Sequence, residues 1–263
     1  MVQWLWEQMI SIIIILLAVF FAWKEGYLSK SGSIAAFFVG IGIQFGFHYQ
    51  GFILLGVFFL TSSLLSKFKK DTKAKMEDMH EKGSTRDYMQ VIANGGAAAI
   101  VSLLYGWNGE HGLIVLFAVL LAAANSDTWA SEIGPLSRNK PFSIRTFKKE
   151  EAGTSGAMSI TGTFAGILGS LLIGLCAYLL FPISIGEFLL IFVFGFIGNL
   201  IDTILGAFVQ AEYQCTVCGA KVEKRIHHGR KAKKIKGFTV LNNDAVNILS
   251  GVIAALFASF FVL

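Results

Sequence analysis

Gly186–Phe208 reads GEFLLIFVFGFIGNLIDTILGAF. This run exceeds the ~20 apolar residues that cross a hydrocarbon core, and it carries an acid, Asp202, inside the apolar stretch. On a helix Asn199, Asp202, Thr203, Gly206 and Gln210 fall on one face, a polar stripe leading to one end. A charge at such depth costs several kcal/mol unless paired or solvated, so Asp202 marks a functional site more often than a structural one.

Seven more apolar stretches flank it: Met9–Trp23, Ser33–Tyr49, Gly51–Ser66, Val91–Trp107, Gly112–Ser126, Ser155–Phe181 and Asp244–Leu263. All 22 Lys and Arg residues fall in four of the seven intervening loops: Lys24 and Lys30, Lys67 to Arg86, Arg138 to Lys149, and Lys221 to Lys236. The loops around Gln50, Asn108 and Ser184 carry none. Cytoplasmic loops retain basic residues, so the pattern predicts eight crossings with both termini outside. The fold class expected is all-α, a polytopic transmembrane bundle forming one domain over 1–263. Its cytoplasmic loops are a charged one at 67–90, a basic one at 127–154 and a Cys/His-bearing one at 209–243. Met1–Trp23 lacks a basic leader and a small-residue cleavage site, and reads as a retained first helix.

Hydrophobic residues make up 54% of the chain, and the net charge is +5. Loop bias accounts for that charge, with attraction to anionic lipid headgroups added, so no nucleic-acid partner is expected. Within the charged loop, Lys67 to Asp87 mixes charges of both signs and reads as a solvated amphipathic segment on the headgroups. Glycines recur within the helices, notably Gly162, Gly166, Gly169 and Gly174, then Gly195, Gly198 and Gly206. Small residues let helix backbones approach in lipid, so the two Gly-rich helices are expected at the centre of the bundle.

The polar clusters gather at one side. Asn94 opens one helix, and Asn125 to Thr128 closes another. Gly153-Thr154-Ser155-Gly156 precedes a third, while Asn199, Asp202 and Thr203 lie near the end of a fourth. Asn242, Asn243, Asp244 and Asn247 start the last. Together they predict a polar pocket opening to the cytoplasm, where nucleotides and magnesium are available. Asp127 and Glu132 lie five residues apart and need a bend or a partner such as Asp202 or Asp244 to converge. Carboxylate oxygens are the hard ligands that magnesium takes. Lys140, Arg145 and Lys148 beside the Gly-rich start at Thr154, Ser155 and Gly156 suit phosphate. Cys215 and Cys218, at CxxC spacing, precede His227 and His228 and read as half a zinc ribbon. No P-loop, dinucleotide fingerprint, HExxH or GxSxG occurs, which excludes the easy readings as a P-loop ATPase, Rossmann enzyme, zincin or α/β hydrolase.

Five segments then appear in order: Arg86-Asp-Tyr-Met-Gln-Val-Ile-Ala-Asn94-Gly-Gly96, Asp127-Thr-Trp-Ala-Ser-Glu-Ile-Gly-Pro135, Gly153-Thr-Ser-Gly156, Asp202-Thr-Ile-Leu-Gly-Ala207 and Asn242-Asn-Asp-Ala-Val-Asn247. From Lys24 to Asn247 the chain resembles the integral-membrane family of domain of unknown function 92, which includes transmembrane protein 19 and the plant phytyl-phosphate kinase of vitamin E recycling. The resemblance implies transfer of a phosphoryl group from a nucleoside triphosphate, CTP or ATP, to an isoprenyl monophosphate. Where relatives often carry His-Cys-Gly, this chain has His227-His228-Gly229. Phosphoryl transfer is mostly positioning and charge neutralisation. Magnesium is therefore assigned to Asp127, Asp202 and Asp244, with Glu132 as helper or base. Phosphate is assigned to Asn94, Asn125, Lys140, Arg145, Lys148, Thr154, Ser155, Gly156, Asn199, Asn243 and Asn247. The competing class is a transporter or flippase of a lipid phosphate or other anion; against it, Gln44, His48, Glu110 and Glu187 are all that the outer side offers. A membrane scaffold using the Cys/His loop is a third reading. Location is expected in a prokaryotic cell membrane; the oligomeric state is left open.

Overall fold

A computed structural model describes residues 2–69 and 81–263. The middle of the charged loop, 70–80, including the expected amphipathic segment on the headgroups, lies outside the described residues. Among the described residues seven helices run in order: α1 (Val2–Lys24), α2 (Lys30–Lys67), α3 (Tyr88–Asn108), α4 (Gly112–Ile133), α5 (Ile160–Leu180), α6 (Ile185–Phe208) and α7 (Asn243–Ser259). By length and composition α2 to α6 can each cross a membrane, while α1 and α7 contribute shorter apolar helices. Outward-facing Ile34, Phe38, Phe45, Ile100, Phe164 and Leu179 give the bundle an apolar exterior suited to lipid.

Helix α2 is a hairpin. A straight helix of its 38 residues would measure ~57 Å, yet Lys67 Nζ donates to the Glu25 carbonyl at 2.8 Å and sits 3.8 Å above the Tyr27 ring. The reversal falls at His48, whose φ of 49° and ψ of −144° break the helix, within two residues of the break expected beside Gln50. Gly51 is required there, because a Cβ would lie 2.5 Å from Phe47 Cβ and 2.8 Å from Ile43 Cγ2. Gln50 ties the tip to α5 through a 2.7 Å bond to the Leu180 carbonyl.

The centre of the bundle differs from the expectation. Every residue from Gly112 to Ala123 is buried, so α4 is the central helix and the Gly-rich α5 and α6 pack against it. A helix enclosed on all sides is apolar all round, and the small residues are needed on the neighbours that must approach it. A Cβ on Gly195 or Gly198 would lie 2.5 Å from Ala122 Cβ or Ala123 Cβ respectively. Asn125, buried on α4, ties three elements: Nδ2 donates to the Gly169 carbonyl at 2.7 Å, and Oδ1 accepts from Thr61 and Ser62 at 3.3 and 3.2 Å. Interhelical bonds of this kind are worth about 0.6 kcal/mol each.

The loops at the basic end are not purely irregular, which corrects the all-α expectation locally. Strand β1 (Phe142–Ser143) pairs antiparallel with β2 (Ala157–Met158). Beyond α6, β3 (Glu212–Gln214) lies between β4 (Lys221–Val222) and β7 (Lys233–Lys236), while β5 (Ile226–His227) pairs with β6 (Arg230–Lys231). Two- to four-residue strands are too short for alternation to announce them.

Candidate functional site

A cavity of about 330 Å³ lies where the ends of the helices meet the basic loops. Its wall is drawn from α2 to α7 and includes Ser66, Asn94, Asp127, Glu132, Thr154, Ser155, Gly156, Asn199, Asp202, Asn243, Asp244 and Asn247. Residues more than 150 positions apart in sequence thus share one chamber. The expected polar pocket exists as a geometric fact, and most of the residues assigned to it line it.

Asp202 sits on α6, 9% exposed. Its Oδ2 accepts from Ser250 Oγ on α7 at 3.1 Å, and the Asn247 amide, oriented to satisfy its neighbours, donates to the same oxygen at 2.9 Å. Asp127, nearly two turns before the end of α4, lines the same cavity. Two carboxylates sharing a low-dielectric chamber fit a hard divalent cation. Asp244 is 3% exposed, at the start of α7, with Lys82 Nζ 2.5 Å from its Oδ2. The same ammonium lies 2.8 Å from Asp87 Oδ2. Burial disfavours the Lys82 charge, but the two carboxylates outweigh it and raise its pKa above the ordinary lysine value. Asp127 and Asp202 thus share the chamber, while Asp244 on its wall is paired with Lys82.

Lys82 and Arg86 are the cavity's cations among the described residues, and sequence reasoning assigned neither. Arg86 Nη1 donates to Ser63 Oγ at 2.7 Å, and its backbone bridges Tyr27 and Ser29, at 3.0 Å each. Burial lowers its pKa, with the charge of Glu132 opposing. Glu132 accepts from Ser66 Oγ at 2.6 Å. Arg86 opens the first family-like segment, which was its one visible signal; Lys82 was hidden in a mixed charge run.

Lys140, Arg145 and Lys148, expected at the phosphate, are exposed and outside the cavity wall. Lys140 pairs with Glu151, and the 142–149 segment closes on itself through Ser143 N to the Lys148 carbonyl at 2.9 Å. Asn125 also lies off the cavity, spent on joining helices as described above. Thr154, Ser155 and Gly156 do reach it. Gly156 has φ of 77°, and its Cα side rests on α6 so closely that a Cβ would lie 2.3 Å from Ala207 Cα. Ser155 Oγ donates to Glu223 Oε1 at 2.8 Å, and Gln210 Nε2 donates to the same oxygen at 2.8 Å. Asn94 donates to the Gln90 carbonyl at 3.1 Å.

Outside the cavity, one donor atom from each of Cys215, Cys218, His227 and His228 lies within 4.8 Å of the others. Cys215 Sγ accepts from the Val217 N–H at 3.3 Å. Chiefly the backbone N–H of Cys218, helped by His227 and Val217 and opposed by burial, lowers the Cys215 thiol pKa to about 6.

The family described as integral membrane protein DUF92 matches residues 13–255. Protein PGR of Arabidopsis thaliana is 34% identical over 91% of this chain and 91% of its own length. An uncharacterized membrane protein of Methanocaldococcus jannaschii is 35% identical over 76% of this chain and 82% of its own. Protein VTE6, chloroplastic, of Arabidopsis thaliana is 28% identical over 90% of this chain and 66% of that protein. No solved structure matches the chain.

Proposed function

The chain belongs to the integral membrane family DUF92, and we propose that it is a membrane-embedded kinase transferring a phosphoryl group from CTP or ATP to an isoprenyl monophosphate. The observation that carries this reading is the cavity itself: Asp127 and Asp202 face Lys82, Arg86 and the Gly153–Gly156 turn across one chamber at the membrane-end of the bundle. Acids for a metal, cations for phosphate and a backbone turn are the parts phosphoryl transfer needs. The plant phytyl-phosphate kinase within the family points to the same chemistry.

In this reading the isoprenyl tail lies between helices, and its phosphate oxygen attacks the γ-phosphorus of the nucleotide. The bond to the β-phosphate oxygen breaks, giving an isoprenyl diphosphate and a nucleoside diphosphate. Asp127 and Asp202 would hold a magnesium ion, with Asp244 beside them on the wall, and the ion would supply charge neutralisation at the phosphates. Arg86, fixed by Ser63 and its backbone bonds, would face the phosphates, with the Glu132 charge acting on it as a helper. A phosphate monoester has largely lost its second proton at neutrality, with pKa ≈ 6, so Glu132 acts as this helper more than as a base. Ser155 and the Gly156 turn orient the anion, and the apolar helices exclude water.

We further infer eight crossings, counting each arm of α2, with both termini outside and the basic loops in the cytoplasm of a prokaryotic cell membrane; the distribution of the basic residues supports this. The test is purified protein in detergent with a panel of polyprenyl phosphates and labelled CTP or ATP. Magnesium-dependent label in an isoprenyl diphosphate is expected. No transfer to any acceptor, with nucleotide-independent movement of lipid phosphate across liposomes, would replace the kinase by the transporter.

A further inference from the structure

The Cys/His loop folds as two tight turns that face each other. The first is the Cys215–Cys218 knuckle, closed by Gly219 N to the Cys215 carbonyl at 3.0 Å and Cys215 N to the Ala220 carbonyl at 2.9 Å. The second is the tip of the β5–β6 hairpin, where His227 pairs with Arg230. The two residues of that tip, His228 and Gly229, have φ of 51° and 70°, the left-handed pair of a two-residue hairpin turn. Asn-Gly suits such a turn; a histidine there is strained, by roughly 1–2 kcal/mol. The strain has a consequence that adjacent histidines ordinarily lack: the ring of His228 swings back beside that of His227, with centroids 4.1 Å apart.

Tetrahedral zinc, with bonds of about 2.3 Å to sulfur and 2.0–2.1 Å to nitrogen, sets its donor atoms roughly 3.3–3.8 Å apart. Cys218 Sγ and His227 Nδ1 stand 3.8 Å apart, and all four donors lie within 4.8 Å of one another. Two buried ligands, Cys215 and His227, alternate with two exposed ones, so an ion can enter from solvent and still be anchored from inside. Apolar packing beneath the turns is slight, limited to Ala211, Tyr213, Val222 and Ala232 with Ala220 against them. A unit this small needs a metal or a covalent staple to hold its shape.

Between the two ligand pairs the chain passes through Glu223. Its Oε1 accepts from Ser155 and Gln210, as described, and its Oε2 accepts from Glu81 N at 3.4 Å. Glu223 therefore fastens the Cys/His unit to three separate parts of the cavity wall.

We propose that Cys215, Cys218, His227 and His228 bind one zinc ion, which locks the two turns together and so positions Glu223 at the cavity. This concerns the wall of the chamber and stands whether the chamber serves a kinase or a carrier. The test uses the full-length protein, purified in detergent without chelator or immobilised metal. Elemental analysis should find about one zinc per chain, absent from the Cys215→Ser, Cys218→Ser double variant. Cobalt loading should give the visible bands of a tetrahedral, thiolate-ligated ion. His228→Ala should lower zinc affinity by more than the ~10–100-fold typical of losing an outer partner. Wild-type protein stripped of zinc should become cleavable by trypsin within 221–236 and be protected again when zinc is restored, an assay independent of whether the variants fold. Wild-type protein without zinc and without a cobalt spectrum, or zinc retained by the double variant, would overturn the site. Equal cleavage with and without zinc would overturn its positioning role.

Discussion

Replacing Gly156 by alanine tests the cavity's construction more directly than removing a charge. The new Cβ would lie 2.3, 2.4 and 2.5 Å from Ala207 Cα, N and Cβ, whereas carbon atoms settle near 3.5–4.0 Å. The neighbour is helix backbone, and α6 is itself clamped on α4 through Gly195 and Gly198, so it yields little. Overpacking of this kind costs about 1–3 kcal/mol, and a Cβ at a φ of 77° adds roughly 1–2 kcal/mol. The sum, about 2–5 kcal/mol, should lower the thermal midpoint in detergent, followed as the fraction of monodisperse protein left after heating. If the turn relaxes instead, Ser155 moves away from Gln210 and Glu223, and the proposed phosphoryl transfer should fall while the midpoint holds. Gly56→Ala is the control, since nothing lies within 4 Å of its added Cβ. Gly156→Ala protein with the wild-type midpoint and full activity would refute the reasoning.

Asp127→Asn and Asp202→Asn should each lower magnesium-dependent transfer by at least ~100-fold, about 2.7 kcal/mol of transition-state stabilisation, with normal insertion; near-wild-type rates in either would remove that carboxylate from the metal. A cysteine at Asn108 or Ser184 should react with an impermeant thiol reagent outside intact cells, and one at Ser84 or Lys233 should not; the reverse pattern would invert the orientation. Asp87→Ala loses both the cap of α3, where Asp87 and Gln90 bond reciprocally, and the Lys82 pair, so it should destabilise by ~1 kcal/mol. Because hydrogen bonds from Lys82 and the backbone outweigh burial and hold the Asp87 pKa below its ordinary value, while that of Lys82 is raised, the contribution is present above the usual aspartate pKa and lost only as pH falls through the lowered one. The cost of Asp87→Ala, read from thermal midpoints, should thus stay constant from about pH 5 to about pH 9, and a cost that vanishes at neutral pH would show the pair is not formed.

The helices were legible because a lipid-facing segment has to be long and apolar, and Asp202 and Asp127 were legible because acids in such surroundings are conspicuous. The Gly153–Gly156 turn was visible for the same reason, being small residues at a helix start. Lys82 was not, since a lysine among charges of both signs looks like any solvated lysine until Asp244, 162 residues away, is brought against it. Lys140, Arg145 and Lys148 were attached to the phosphate by nearness in sequence to Thr154, and their side chains are exposed and outside the cavity wall. Asn125 looked chemical because asparagine in lipid is costly; its partners Thr61, Ser62 and Gly169 show that joining helices can justify the same residue. The centre of the bundle was misjudged because glycine marks where a backbone is approached, and the approached helix and the enclosed one are different helices.

The bonds to Asp202 set a timetable for the chain's birth. Ser250 and Asn247, which hold its carboxylate, belong to α7, a helix made after α6, and so does the Asp244 that meets Lys82. When α6 first enters the bilayer its acid has none of these partners, and the growing chain carries an unmatched group in lipid until α7 arrives. A chain interrupted before Asn243 lacks α7 and leaves the Asp202 carboxylate without its Ser250 and Asn247 bonds. Helix α7 thereby completes the surroundings of Asp202, and the acid stays unmatched until that helix docks.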